Sequence, residues 1–120
     1  MIVGVGIDMV KTEKMKTAVE KWGQDFIFRV FNKEELDKLA KGKIYYQRLA
    51  ARFAAKEAVV KAISKNYPLT FKDILILNKK NGAPYCKLKR GVKISIFISI
   101  THIEDYAIAC AVAQKKIRYP

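Results

Sequence analysis

Between Ile44 and Ser64 the chain contains neither glycine nor proline, and alanine recurs at Ala50, Ala51, Ala54, Ala55, Ala58 and Ala62. Alanine costs the least to hold in a helix, and nothing in the run breaks one, so the segment predicts a single long helix. On a wheel centred on Glu57, the side chains Tyr46, Leu49, Ala50, Phe53, Ala54, Val60, Lys61 and Ser64 share its side. Ala51, Ala55, Ala58, Val59, Ala62 and Ile63 cover most of the remainder. A helix that is small or apolar nearly all round has to be packed on several sides, so the rest of the chain must wrap it.

The flanking segments supply the wrapping. Residues 2–10 alternate and are rich in Val and Ile, the pattern of a strand with Val3, Val5, Ile7 and Met9 on one face and Gly4, Gly6 and Asp8 on the other. Two glycines in a strand signal either close packing by another element or an opening that lets something approach Asp8. Residues 11–40 read as short helices, with Asn32-Lys33-Glu34-Glu35 resembling an N-cap followed by an acidic third helical residue. The run from Lys41 to Lys43 reads as a loop. After Pro68 come strands: Ile74–Leu77, a turn at Asn81–Pro84, and a return over Tyr85–Leu88. Val92, Ile94, Ile96, Ile98, Ile100 and His102 share one face of the next strand, and Glu104-Asp105 turns the chain. The last strand alternates Tyr106, Ile108, Cys110 and Val112 with a pure alanine face of Ala107, Ala109, Ala111 and Ala113, a surface smooth enough for a helix to lie close. The expected fold is α+β: a mostly antiparallel sheet wrapped around one long central helix, with short helices after the first strand. No repeat or low-complexity linker divides the chain, and residues 1–120 read as one domain.

With 24 Lys and Arg against 11 Asp and Glu, the formal net charge is +13. Such a charge speaks to partners: nucleic acid, an anionic membrane surface, or an acidic protein or phosphate-rich small molecule. Charge alone ranks nucleic acid first. The basic residues are scattered, however, and the aromatics fall mostly on apolar faces, not in the interleaved pattern of a nucleic-acid surface. Cys86 and Cys110 with the lone His102 are too few for a Cys/His zinc site, and read as reduced, semi-buried thiols of a cytoplasmic protein. Met1–Asp8 lacks a basic leader and is interrupted by Asp8, so it does not read as a signal peptide. No apolar run reaches the length of a membrane span.

Glu57 stands out chemically, because a carboxylate in a buried helix is costly unless paired or bound to metal. Helix spacing alone favours a salt bridge to Lys61, one turn on. Asp8, at the end of a strand face bared by glycines, is equally a helix cap for the segment starting near Lys11 or the second half of an oxygen-rich site. If Asp8 and Glu57 converge, magnesium is the natural occupant, and Lys61 could neutralise a phosphate beside it. His102, at a strand end, reads as a hydrogen-bonded structural residue, or as a donor if a phosphate site lies nearby. Arg52 and Lys56 fall away from Glu57 on the wheel and read as solvated cations.

Several of these residues resemble the motifs of holo-[acyl-carrier-protein] synthases, in order and over almost the whole chain. Gly4-Val5-Gly6-Ile7-Asp8 is similar to their opening, and Arg52-Phe53-Ala54-Ala55-Lys56-Glu57-Ala58 followed by Lys61-Ala62 resembles their central signature. Ser99-Ile100-Thr101-His102, then Tyr106-Ala107, resembles their closing strand pair, and Gly82-Ala83-Pro84 stands where Gly-Lys-Pro is usual. The chain departs from the pattern at Ser64-Lys65-Asn66, where a Gly-Thr-Gly loop is common, and at Val60, where serine is frequent.

The resemblance implies a Mg2+-dependent enzyme that moves 4'-phosphopantetheine from coenzyme A to a serine of acyl carrier protein. It implies Asp8 and Glu57 as metal ligands, with Lys61 acting beside them. Lys61, His102, Arg52, Ser64 and Lys65 would face coenzyme A, with Lys65 supplying charge where the family uses loop amides. Lys14, Phe26, Ile27 and Arg29 would meet the carrier, and the active form would be a homotrimer with sites at subunit interfaces. The alternatives are a small basic nucleic-acid-binding module or a non-catalytic trimeric relative.

Overall fold

The computed structural model describes residues 1–37, 39, 42, 44–65 and 67–116. Lys41 and Lys43 of the expected loop, and Asn66 of the departing segment, lie outside the described residues. The order of elements is β1 (Ile2–Lys11), α1 (Thr12–Val30), α2 (Lys33–Asp37), α3 (Tyr45–Ile63), a 3-10 turn (Phe71–Asp73), β2 (Ile74–Asn78), β3 (Pro84–Leu88), β4 (Ile94–His102) and β5 (Tyr106–Lys115). The antiparallel α+β architecture holds, but the strands divide between two sheets instead of forming one. One has the order β1-β5-β4; the other is the β2-β3 hairpin.

Register explains how the long helix meets the larger sheet. Gly4 pairs with Ala113, Gly6 with Ala111 and Asp8 with Ala109, while Ile96, Ile98 and Ile100 on β4 pair with the same three alanines. Side chains alternate along a strand, so all of these share one face. α3 lies against that face. A Cβ on Gly4 would overlap the Ala62 carbonyl, and one on Gly6 the Ala58 carbonyl, so backbone meets backbone without side chains between. Of the two readings of the paired glycines, close packing is the one realised. The four β5 alanines, with Ala50, Ala54, Ala55 and Ala58 of α3, are buried in the seam.

The other side of α3 carries the hairpin and the short helices. α1 is broken at Gly23, whose φ of 63° lies in the left-handed region that glycine occupies without strain. The Asn32–Glu35 motif does form a cap: Glu35 Oε1 accepts from the Asn32 backbone N–H at 2.9 Å. That carboxylate also does something the local pattern did not reveal. It forms a fully buried ion pair with Lys56 at 2.7 Å, and its Oε2 accepts from the Ile76 N–H at 2.9 Å. Lys56 donates further to the carbonyls of Phe71 at 2.8 Å and Ile74 at 2.6 Å. The reading of Lys56 as solvated is therefore wrong, because the hairpin covers the face of α3 that a lone helix would show to water. Arg52 is likewise engaged, donating to the Ile76 carbonyl and to Asn78 Oδ1.

The outer face of the three-stranded sheet is uncovered. Val5, Ile7 and Met9 of β1, Phe97 of β4 and Ile108 of β5 are exposed there. Among the described residues no helix is long and apolar enough to cross a membrane.

Gly6→Ala should cost about 3 kcal/mol or more in unfolding free energy by denaturant titration, since the new methyl meets a helix carbonyl that has no rotamer to move. An equal change at Gly91, where an added Cβ meets nothing, should cost far less. Equal losses at the two sites would contradict this account of the seam.

Candidate active site

The helix–sheet seam places three of the expected residues side by side. Asp8 follows Gly6 on the inner face of β1, and α3 advances along that strand with Ala58 and Ala62 against the glycines. Glu57 and Lys61, one turn apart on α3, are thereby presented at the end of the strand. Lys61 Nζ pairs with Asp8 Oδ1 at 2.9 Å and donates to the Ile7 carbonyl at 3.0 Å. The lysine thus bonds across to the strand, and no Glu57–Lys61 ion pair occurs among the described residues. Asp8 is not a cap either: the residue before α1 is Lys11, and the helix start has no side-chain cap bond.

Asp8 and Glu57 line one cleft of about 540 Å³, with Lys11, Lys14, Phe26, Phe53 and Tyr106 among its walls. Partial burial raises the Glu57 pKa above the usual carboxylate value; the neighbouring Asp8 adds to this and Lys61 opposes it. A half-buried carboxylate facing a second one, with a lysine bound to only one of them, is an arrangement that a divalent cation relieves. The donors are hard oxygens suited to magnesium, which takes one or two carboxylates and completes its shell with water and phosphate. Among the described residues no third acidic, histidine or cysteine side chain joins them. The pair therefore fits a cation that keeps open positions for a ligand, and not a closed structural site.

A second cleft, of about 450 Å³, lies on the far margin of the sheet. Its walls include Arg48, Arg52, Asn78, Gly82, Pro84 and His102. His102 is exposed at the end of β4, and β4 and β1 occupy opposite edges of the sheet, so within one chain His102 is separated from Asp8. Arg48 was missed from the sequence; its position one turn before Arg52 on the same helix was the available signal. Ser64 and Lys65 are exposed just beyond α3.

Of the expected carrier contacts, Lys14 and Arg29 are exposed, and Phe26 is half-buried against Phe53 at a centroid distance of 6.5 Å. Ile27 is a correction. It is 2% exposed and belongs to the core, whereas its neighbour Phe28 is 58% exposed. The break at Gly23 resets the helical phase, turning Ile27 inward. Cys86 is shielded enough that burial pushes its thiol up to about 12, and Cys110 is likewise a half-buried free thiol.

A family profile described as the 4'-phosphopantetheinyl transferase superfamily matches residues 4–111. The chain belongs to this superfamily. Among curated members, the holo-[acyl-carrier-protein] synthase of Thermodesulfovibrio yellowstonii is 43% identical over 112 residues, covering 93% of this chain and 98% of the relative. That of Protochlamydia amoebophila is 38% identical over 119 residues, again covering 93% and 98%. Among solved transferases, the holo-(acyl-carrier-protein) synthase of Bacillus anthracis, in complex with CoA (3',5'-ADP), superposes with a TM-score of 0.84 at 30% identity, covering 97% of this chain and 99% of that one. The Helicobacter pylori enzyme in complex with coenzyme A gives 0.79 at 29% identity, covering 92% and 99%.

The raised Glu57 pKa carries a sign that can be tested on the metal-free transferase. A folded-state pKa above the unfolded value means that the native state holds more protons in the window between them, so stability falls as pH rises through it. Glu57→Gln should therefore raise the melting temperature at neutral pH, though only slightly, because solvent screens a group this exposed. The gain should vanish below the unfolded carboxylate range, where Glu57 is protonated in both states. A gain that persists unchanged into acid would contradict the electrostatic origin.

Proposed function

We propose that this chain is a holo-[acyl-carrier-protein] synthase acting as one transferase domain over residues 1–120, with Mg2+ held between Asp8 and Glu57. It moves 4'-phosphopantetheine from coenzyme A to a serine of acyl carrier protein and releases adenosine 3',5'-bisphosphate. The observation that carries the site assignment is the shared cleft in which burial and the neighbouring Asp8 raise the cost of ionising Glu57 while Lys61 reaches across to Asp8. When bound, the ion would neutralise charge on the coenzyme A pyrophosphate.

The serine oxygen loses its proton to solvent and forms the new bond to the phosphorus bearing the pantetheine arm, and the bond from that phosphorus to the adenosine bisphosphate oxygen breaks. Lys61, on the same helix face as Glu57, is placed to offset negative charge on the transferring and leaving oxygens. Arg52 and His102, with Ser64 and Lys65 at the helix end, are assigned to the remaining phosphates of coenzyme A. Lys14 and Arg29, exposed and basic, are assigned to the acidic carrier, with Phe26 as the apolar wall behind them. The charge of +13 then attracts both the polyphosphate and the carrier, and their encounter should slow as salt rises. The proposed compartment is the cytoplasm.

Assembly completes this reading. The carboxylates and the cleft of Arg52 and His102 lie toward opposite margins of one sheet, and the sheet's outer face exposes Val5, Ile7, Met9 and Phe97. A homotrimer that buries this face would bring the β4 margin of one copy toward the β1 margin of the next, uniting the two clefts across each subunit boundary.

Mass measurement of an apo carrier protein incubated with coenzyme A and Mg2+ should show the gain of one phosphopantetheine. Asp8→Asn and Glu57→Ala should each lower turnover by roughly two orders of magnitude or more. Near-normal transfer by Glu57→Ala would remove the proposed site. Ile7→Glu with Phe97→Glu should convert the trimer to monomer in sedimentation and abolish transfer, whereas an active monomer would exclude the shared site.

A further inference from the structure

The hairpin strand β2 has one edge bonded to β3 and one edge bonded to side chains. Asp73 O accepts from Lys89 N at 2.8 Å and Lys79 N donates to Ala83 O at 2.8 Å, so the odd-numbered residues face β3. In an antiparallel ladder the intervening residues turn their backbone groups the other way. On that side Ile74 O receives Lys56, Ile76 N–H meets Glu35, and Ile76 O receives Arg52. Three side chains from α2 and α3 thus occupy the place of a missing neighbouring strand.

The backbone of Ile76, through the two peptide units that flank its Cα, links a buried ion pair to a cleft cation. Its N–H is held at 2.9 Å by Glu35 Oε2, and the carbonyl of the same residue anchors the Arg52 guanidinium, whose other nitrogen donates to Asn78 Oδ1 at 2.8 Å. Both oxygens of Glu35 accept: Oε1 takes the Asn32 N–H, the Asn32 amide and the Lys56 ammonium, and Oε2 takes Ile76. Only a carboxylate can face four donors with no donor of its own.

We propose that Glu35 and Lys56 are positioning residues for substrate binding. Acting through β2, they fix the Arg52 guanidinium in the second cleft, where the phosphates of coenzyme A bind. The inference rests on the transferase reading above and adds a requirement to it. Neither residue touches substrate. A loss at this pair would appear as weaker coenzyme A binding through Arg52, with the carboxylate–lysine cleft left intact.

Steady-state kinetics and calorimetric titration with coenzyme A, on the full chain with Mg2+ and an apo carrier, test this. Glu35→Gln should raise the KM and Kd for coenzyme A about tenfold, the usual scale for losing a charged hydrogen-bond partner. The kcat and the KM for the carrier should stay within about twofold on the same arithmetic. Adding Arg52→Gln to Glu35→Gln should weaken coenzyme A binding by less than about twofold more, because the second change removes an interaction already lost.

If Glu35→Gln does not fold, the pair exchange Glu35→Leu with Lys56→Met serves the same cycle, since matched apolar replacement of a buried ion pair commonly preserves stability. Additive losses from position 35 and position 52, or a fall in kcat matching a fall in the folded fraction, would overturn the proposal. A wild-type chain that leaves the carrier unmodified overturns the transferase reading and this inference together. An active wild type with additive variants overturns this inference alone.

Discussion

The contact between the backbones of α3 and β1 is the constraint from which the site follows. Because Gly4 and Gly6 present no Cβ, the carbonyls of Ala58 and Ala62 rest directly on the strand. Helix and strand are then locked in one lateral register, since any slide would drive a side chain into a carbonyl. Asp8 is the next residue on the same face, and Glu57 and Lys61 flank Ala58 on the helix. The distances that matter for chemistry, such as the 2.9 Å from Lys61 to Asp8, are thus inherited from packing. The alanines of β5 extend this surface, so the helix is supported along most of its length.

The local part of this arrangement was legible in the sequence. The glycine-free run set the helix within a residue of its observed ends, and alternation set the strands and their faces. The capping motif at Asn32–Glu35 was readable because its partners are three residues apart. What escaped was long-range. Lys56 and Glu35 are far apart in the chain, and a wheel centred on Glu57 treats the opposite face as solvent unless another element is known to cover it. Two sheets were read as one for a similar reason: periodicity marks which residues form strands, whereas pairing depends on which edges meet. Ile27 turns inward instead of outward because a single left-handed glycine, Gly23, rotates everything beyond it.

The two clefts divide the electrostatic labour. Asp8 and Glu57 meet in a cleft whose walls also carry Lys11 and Lys14, and partial burial raises the cost of charging Glu57. Across the sheet, Arg48, Arg52 and His102 gather positive or ionisable groups on the β4 margin. Among the described residues Lys61 is the lysine that pairs with Asp8. Lys56 takes no part in either cleft, because it is sequestered in the core with Glu35.

The occupied flank of β2 also bears on how the protein behaves when crowded. A strand with vacant lateral amides can template pairing with a second chain, the first event in many aggregation routes. Here the vacant amide and carbonyls at Ile74 and Ile76 are saturated by ionic side chains anchored on helices, so the hairpin offers an incoming strand little to grasp on that side. The side chains that bind this edge thus also close it to strand addition, a protection that two-stranded hairpins of marginal independent stability need most.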